Sequence, residues 1–419
     1  MSRKVFISVL GATNYKECQY VDTQSNFKSS KTRFIQVAMF EKFVMNWSSN
    51  DIAFIFLTAG NKGSEKKSWL DDGHVKNDTG EVIPSIGLQK LLEKLKPPCE
   101  IKPVKIKNGD TEAEIWENFR IIFNCLQQGD EVYFDVTHGF RPLPMLVLVL
   151  NNYSKFLKNI KVASITYGNF DARNERNEAP IMNLTPLSEL QDWTAAANMF
   201  ISTGKTNSIS TLLETENIGS LDTFVDEINE CRGRDIYSGR SALNLKRDLK
   251  KINIKNHSLR ELLEKIERKV ESFALNDILN GFRAVEFCIQ HQLVQQGVTL
   301  LQEYIISWVL KDICNENWLN EFERNIVSGC MQINSIKSFK PSGKSEEMRL
   351  KSIEIAQKVF SLPYKKKLSD NVFKGLSKGA RNDLNHAGKR IDSKPTGYFE
   401  EKLKYYYKKT LEILSIEIK

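Results

Sequence analysis

Short apolar runs rich in β-branched and aromatic residues recur at Val5–Leu10, Ile52–Leu57, Ile101–Ile106, Glu131–Val136 and Ile160–Tyr167. Between them apolar positions fall at helical spacing, near Arg33–Trp47, Gly87–Leu95, Thr111–Gln127 and Leu143–Leu157. Strands that are apolar on both faces and alternate with helices predict a parallel sheet covered on each side. In such a sheet a ligand binds beyond the carboxyl ends of the strands. Here those ends run into Gly11-Ala12-Thr13-Asn14-Tyr15, Thr58-Ala59-Gly60-Asn61, Asp135-Val136-Thr137-His138-Gly139-Phe140-Arg141 and Tyr167-Gly168-Asn169-Phe170. A polar stretch from Asn61 to Val82 is long for a structureless connection and reads as a lid or a mobile insertion.

From about Pro186 the pattern is helical throughout. One helix starts at Gln191 and ends at Gly204, a long pair spans Asn276–Cys314 with a break near Gly297, and another covers Tyr398–Ile418. The basic stretch from Cys231 to Lys255 reads as a linker or an interhelical loop, and Leu243–Phe273 carries no assignable motif. The expected fold class is α/β plus all-α: a Rossmann-like parallel-sheet domain over residues 1–185, then a helical region over 186–419 with its core at about 276–419.

The 419 residues are 41% hydrophobic and 10% aromatic, which excludes a mainly disordered chain. The longest apolar run, Leu143–Leu150, contains Pro144 and is too short for a bilayer, so no membrane partner is expected. The opening apolar run reads as a strand, not a signal peptide. Seven scattered cysteines with no Cys-x-x-Cys pair argue against a disulfide framework or zinc site and fit a reducing cytoplasm. The formal charge is +8, and it is unevenly placed. Residues 1–185 hold 24 basic and 21 acidic side chains, residues 186–360 hold 22 and 24, and residues 361–419 hold 14 and 7. The tail thus has a net charge of +7, pointing to a polyanion, although a solvated lysine-rich surface fits as well.

Walker, Gly-x-Gly-x-x-Gly, Gly-x-Ser-x-Gly and His-Glu-x-x-His patterns are absent from the sequence. What remains is Arg381-Asn382-Asp383-Leu384-Asn385-His386-Ala387-Gly388 in the basic tail. A histidine exchanges protons near neutrality, and an arginine stabilises charge growing on a phosphoryl group. Together they suit metal-free cleavage of RNA, whose 2′-hydroxyl is its own nucleophile. The bare spacing arises by chance in roughly one in two or three chains of this length. On an α-helix it also leaves the two side chains about 140° apart. At Asp135–Arg141, Thr137 and Gly139 fit close backbone approach to a ligand and Arg141 fits a phosphate. The alternative is a tight turn with Asp135 capping the next helix.

Taken together, Leu10–Tyr15 and Asp135–Arg141 resemble the CRISPR-associated Rossmann-fold (CARF) sensor domain, and Arg381–Gly388 resembles the active-site motif of HEPN ribonucleases. Their order is that of the CARF–HEPN ribonucleases of type III CRISPR systems. The resemblance implies a homodimer, with higher oligomers open, whose sensor domains bind a cyclic oligoadenylate, most often the tetra-adenylate, as allosteric activator. It implies binding through Gly11, Ala12, Thr13, Asn14, Thr58, Ala59, Gly60, Thr137, His138, Gly139 and Arg141, with Tyr167, Gly168 and Asn169. It also implies a composite, metal-independent endoribonuclease site for single-stranded RNA. Each subunit would give Arg381 to stabilise the phosphorane, His386 as general acid or base, and Asn382 to orient phosphate or histidine; Lys374, Lys378, Lys389 and Arg390, with Lys365-Lys366-Lys367, would draw in the RNA. Some relatives also degrade their activator in the sensor domain, which the turn residues leave open. Two other readings stand beside it: a non-catalytic sensor regulating a partner through its helices, and a small-molecule enzyme with its site at Thr137–Arg141.

Overall fold

A computed structural model of the chain describes residues 2–13, 15–58, 63–71, 86–138, 142–214, 219–252, 257–314, 318–385, 389 and 394–418. The chain divides into two compact units, Met1–Gln191 and Asp192–Lys419.

The first unit is built on an eight-stranded sheet: β1 (Lys4–Leu10), β2 (Cys18–Asp22), β3 (Phe27–Thr32), β4 (Ile52–Thr58), β5 (Glu100–Ile106), β6 (Glu131–Asp135), β7 (Lys161–Gly168) and β8 (Glu178–Asn183), in the order β3-β2-β8-β7-β6-β1-β4-β5. The five apolar runs form its contiguous parallel part, β7-β6-β1-β4-β5. The sheet is mixed, not parallel throughout. β8 runs antiparallel to β7, and the antiparallel pair β2–β3 extends the sheet through β8. Those three strands escape a reading based on apolar runs because they are short and mixed, with polar residues breaking or bounding each one; β3, at the edge, reads Phe27-Lys28-Ser29-Ser30-Lys31-Thr32. Short lysine-bearing strands are how sheets protect an edge from further pairing.

Side-chain alternation sorts the core into two faces. Phe6 and Leu10 of β1, with Ala53, Ile55 and Leu57 of β4, pack with the helices α1 (Ile35–Lys42) and α2 (Leu88–Leu95). Val5, Ile7 and Val9, with Phe54 and Phe56, pack with α3 (Glu112–Cys125) and α4 (Leu143–Lys158). Thr111 caps α3 by accepting the Glu114 amide. In the parallel part, β1 has β4 on one side and β6 on the other, so its carboxyl end is the topological switch point.

The second unit is helical around one core that includes Phe224, Phe282, Tyr304, Val309 and Phe373. The helix Thr185–Thr203 runs across the boundary between the units; it begins earlier than Gln191 and ends before Gly204, whose φ of 69° stops it. The stretch expected as a linker or loop after Cys231 holds two helices, Gly233–Ser238 and Arg240–Lys251, because Ala242, Leu245 and Leu249 form a buried stripe at helical spacing. The long pair is Leu279–Gln290 and Val294–Cys314, so the break lies before Gly297, at left-handed Gln292. Gly297 serves packing instead: a Cβ there would lie 2.5 Å from the Leu403 side chain and 3.1 Å from Cys288 Cβ. From Lys365 to Asn385 the chain is helical with wide π-type turns at Ser369–Phe373 and Gly375–Arg381, and a final helix covers Tyr398–Leu414.

Candidate functional site

In the first unit the switch point is knitted by side chains. Ser8 of β1 and Asp135 of β6 stand side by side in register. Asp135, fully buried, accepts from Ser8 Oγ at 2.7 Å, from the Thr137 amide at 3.1 Å and from Thr137 Oγ1 at 2.5 Å. Burial raises its carboxyl pKa and those donors oppose the rise. Asp135 thus caps its own turn rather than the next helix. Gln36 of α1 donates to Ser8 Oγ at 2.9 Å, and the Gly168 amide of β7 donates to Thr137 Oγ1 at 2.8 Å. Four elements are tied through one carboxylate.

Above this network is a cavity of about 230 Å³. Of the residues expected at the ligand, Thr13, Thr137, His138, Tyr167 and Gly168 line it. His138 is packed against the Tyr15 ring at 4.5 Å, and burial pushes its imidazole down to about 4, leaving it neutral at pH 7. Its Nε2 is buried and has no hydrogen-bond partner among the described residues. Gly168 is there because a Cβ would meet Ile35 Cδ1 at 2.6 Å and Tyr20 Cε1 at 2.9 Å. The Gly11 carbonyl accepts from Ser68 Oγ at 2.8 Å. Ala12 follows it outside the strand. Thr58 is engaged with Ser64, taking its amide at 3.0 Å and giving its own amide to Ser64 Oγ at 2.9 Å. The Asn169 amide pairs with the Pro180 carbonyl. Neither Thr58 nor Asn169 lines the cavity. Asn14, Ala59, Gly60, Gly139 and Arg141 lie outside the described residues, as do 61–62 and 72–82 of the insertion; its described part holds the π-helical Glu65–Leu70.

Two cations on the cavity wall, Lys16 and Arg33, were not expected, nor were Tyr20 and Phe170. Arg33 is anchored by Asp71 and by the Ile86 carbonyl, and lies 4.7 Å over the Phe34 ring. Lys16, Tyr20 and Arg33 belong to, or flank, the polar hairpin β2–β3, so their place depended on strands that no apolar run marks.

In the second unit Arg381 ends the π-type turn Gly375–Arg381. Its Nη1 donates to Glu303 Oε1 at 2.9 Å, and the other oxygen of Glu303 receives Arg324 Nη2 at 2.7 Å. Arg324 is fixed in turn by Ser307 Oγ and the Trp318 carbonyl. One carboxylate thus sets the position of Arg381, in the one ion pair that this arginine makes among the described residues. Asn382 beside it is half-buried. His386, Ala387, Gly388 and Arg390 lie outside the described residues. Lys378 and Lys389 are exposed, and Lys374 is engaged by Asp370 at 2.6 Å and by Asn334. Lys365 corrects the sequence reading: it is 4% exposed and donates to the Ile333 carbonyl at 2.5 Å, so it cannot meet a polyanion. Among the described residues no group of three or more His, Cys, Asp or Glu could hold a metal, and no helix is long and apolar enough to cross a membrane.

Comparison with known proteins matches residues 5–171 to the family described as CRISPR system endoribonuclease Csx1, CARF domain. The CRISPR-associated protein MJ1674 of Methanocaldococcus jannaschii is 35% identical over 139 residues, which are 31% of this chain and 21% of that protein. The chain thus matches about a fifth of that relative's length. The solved structure of Enterococcus italicus Csm6 bound to cyclic hexa-2'-fluoro-hexa-dAMP aligns at a TM-score of 0.42 and 9% identity, covering 100% of this chain and 96% of that chain. The N-terminal unit is a Rossmann-like domain similar to the CARF domain of Csx1, and helices follow it.

Proposed function

We propose that the protein is a type III CRISPR accessory endoribonuclease, switched on by a cyclic oligoadenylate bound in its N-terminal unit. The observation that carries this reading is the match of residues 5–171 to the Csx1 CARF domain, over a sheet whose switch-point cavity is lined by Thr13, Thr137, His138 and two cations. Lys16 and Arg33 suit phosphates, and the neutral, unpartnered imidazole of His138 suits an adenine edge.

The nuclease half of the reading rests on the Arg381–His386 motif. Arg381, held by Glu303, would stabilise the phosphorane, and His386 would move protons to and from the 2′-hydroxyl and the leaving 5′-oxygen. Such a role is worth about a hundred- to ten-thousand-fold. Asn382 would orient the phosphate or the histidine. A homodimer would bring two such pairs together, and the activator would favour that arrangement by binding it more tightly than the resting one.

The test is full-length protein with a fluorescent single-stranded RNA, EDTA, and cyclic tri-, tetra- or hexa-adenylate in turn. Cleavage is expected only with one of the rings, leaving 2′,3′-cyclic phosphate and 5′-hydroxyl ends, and His386→Ala abolishes it. Cleavage that persists in that variant, or that needs a divalent metal, overturns the assignment.

A further inference from the structure

The final helix and the π-type turns enclose a second cavity, of about 220 Å³, which the mechanism above does not use. Its wall combines three kinds of group. Lys378, Lys394 and Lys402 bring positive charge, and Tyr398, Phe399 and Tyr406 bring aromatic surface. Asp383, two residues after Arg381, brings a carboxylate. Gly375 makes room, since a Cβ there would lie 2.2 Å from Tyr406 Oη.

Asp383 is the informative member. It is only 7% exposed, and its Oδ2 accepts the Lys394 amide at 3.1 Å. Its Oδ1 is buried with no hydrogen-bond partner among the described residues. A buried acceptor left unmade is costly, so a donor from outside the chain is the natural complement. Aromatic faces that stack a base, cations that hold its phosphates and an acceptor between them together describe a nucleotide. Lys402 Nζ already lies 5.5 Å over the Tyr398 ring, so charge and stacking surface adjoin.

We propose that this cavity reads one base of the RNA, through Asp383, in favour of bases that carry an exocyclic amine. Adenine and cytosine present an amino N–H to a lone carboxylate oxygen. Uracil offers only N3–H, flanked by two carbonyls whose lone pairs repel the carboxylate. The inference rests on RNA being the ligand of the second unit, but not on RNA being cut.

The test is therefore binding. Full-length protein, with and without cyclic tetra-adenylate, is titrated with 2′-fluoro decamers of A, C and U, which lack the attacking hydroxyl. A and C decamers are expected to bind roughly tenfold tighter than U, one charge-assisted hydrogen bond. Asp383→Asn, whose amide both accepts and donates, should erase that difference by improving U. Lys402→Gln should weaken all three alike and lower the salt slope. Equal binding of the three decamers, or a preference that Asp383→Asn leaves intact, overturns the proposal even if RNA is cleaved. Base-selective binding of these decamers, together with no cleavage of the 2′-hydroxyl RNA in the activity assay above, supports the cavity and removes the nuclease reading, whereas binding of no decamer overturns the cavity proposal and leaves the nuclease reading to that assay. Tighter binding of free 5′-AMP than of the A decamer would reassign the cavity to a soluble nucleotide.

Discussion

Replacing Thr137 by valine should unfasten the switch point. The hydroxyl donates to Asp135 at 2.5 Å and accepts the Gly168 amide at 2.8 Å, so it bridges β6 and β7 beyond their last ladder contacts. Valine keeps the shape and removes both bonds. A hydrogen bond contributes about 0.5–1.5 kcal/mol, and a buried amide left without an acceptor costs about 1–3 kcal/mol. Because the two losses share one relaxation, the expected destabilisation is about 2 kcal/mol. Thr137→Ser keeps both bonds and removes a half-buried methyl group, costing under about 1 kcal/mol. Urea titration of the two variants measures the difference, and hydrogen exchange of the Gly168 amide locates it. Exchange should accelerate in the valine variant and stay slow in the serine variant. Because Thr137 and His138 share a turn, activator affinity should fall with the valine variant as well. If the two variants unfold within about 0.5 kcal/mol of each other, the hydroxyl does not bridge the strands.

Gly168→Ala should cost about 1–3 kcal/mol in urea titration, since its Cβ would press on Ile35 and Tyr20; a neutral result would mean that α1 shifts freely. His291, 4% exposed and tilted against Phe287 with ring centroids 4.1 Å apart, is held neutral, burial and nearby Lys269 lowering its pKa to about 4. The unfolded chain titrates near 6.5, so between those values it binds more protons than the native state. Stability is full above about pH 6.5 and falls by about 3 kcal/mol as the pH drops to 4, a loss that His291→Phe should reduce in urea titrations across that range. Glu303→Gln should lower single-turnover RNA cleavage by up to about fivefold with RNA affinity unchanged, the scale of a half-exposed ion pair. A faster variant would show that Glu303 restrains Arg381 instead of positioning it.

The parallel part of the sheet was legible because strands buried on both faces are apolar at nearly every position, as Val5–Leu10 is apart from Ser8. Burial also explains what was missed. β2, β3 and β8 are partly exposed, and their polar residues carry no periodic signal that separates them from loops. The cavity inherits this split: Thr13, Thr137 and Gly168 follow readable strands, whereas Tyr20 and Arg33 come with the unread hairpin. Gly297 shows a different failure. A glycine in a helical pattern reads as a break, but here it admits Leu403 against the helix, a contact between positions far apart in sequence.

Charge gave the least reliable guide, and the reason is local. The net +7 of residues 361–419 is a sum over side chains in different settings. Lys365 is buried on a carbonyl, Lys374 is held by Asp370, and Lys404 and Lys409 are paired with Glu400 and Glu412. The acids that pair with Lys374, Lys404 and Lys409 are already subtracted in the +7, so pairing leaves that excess unchanged and only decides which cations carry it, while Lys365, buried on a carbonyl, adds nothing to the exposed share. Lys378, Lys394 and Lys402, in contrast, share one aromatic cavity with a buried carboxylate. Three cations converging there act on one ligand, whereas the same three spread over a surface would only raise its average potential. Their arrangement around Asp383, rather than the tail's net charge, makes that cavity the place to look for sequence-selective contact with RNA.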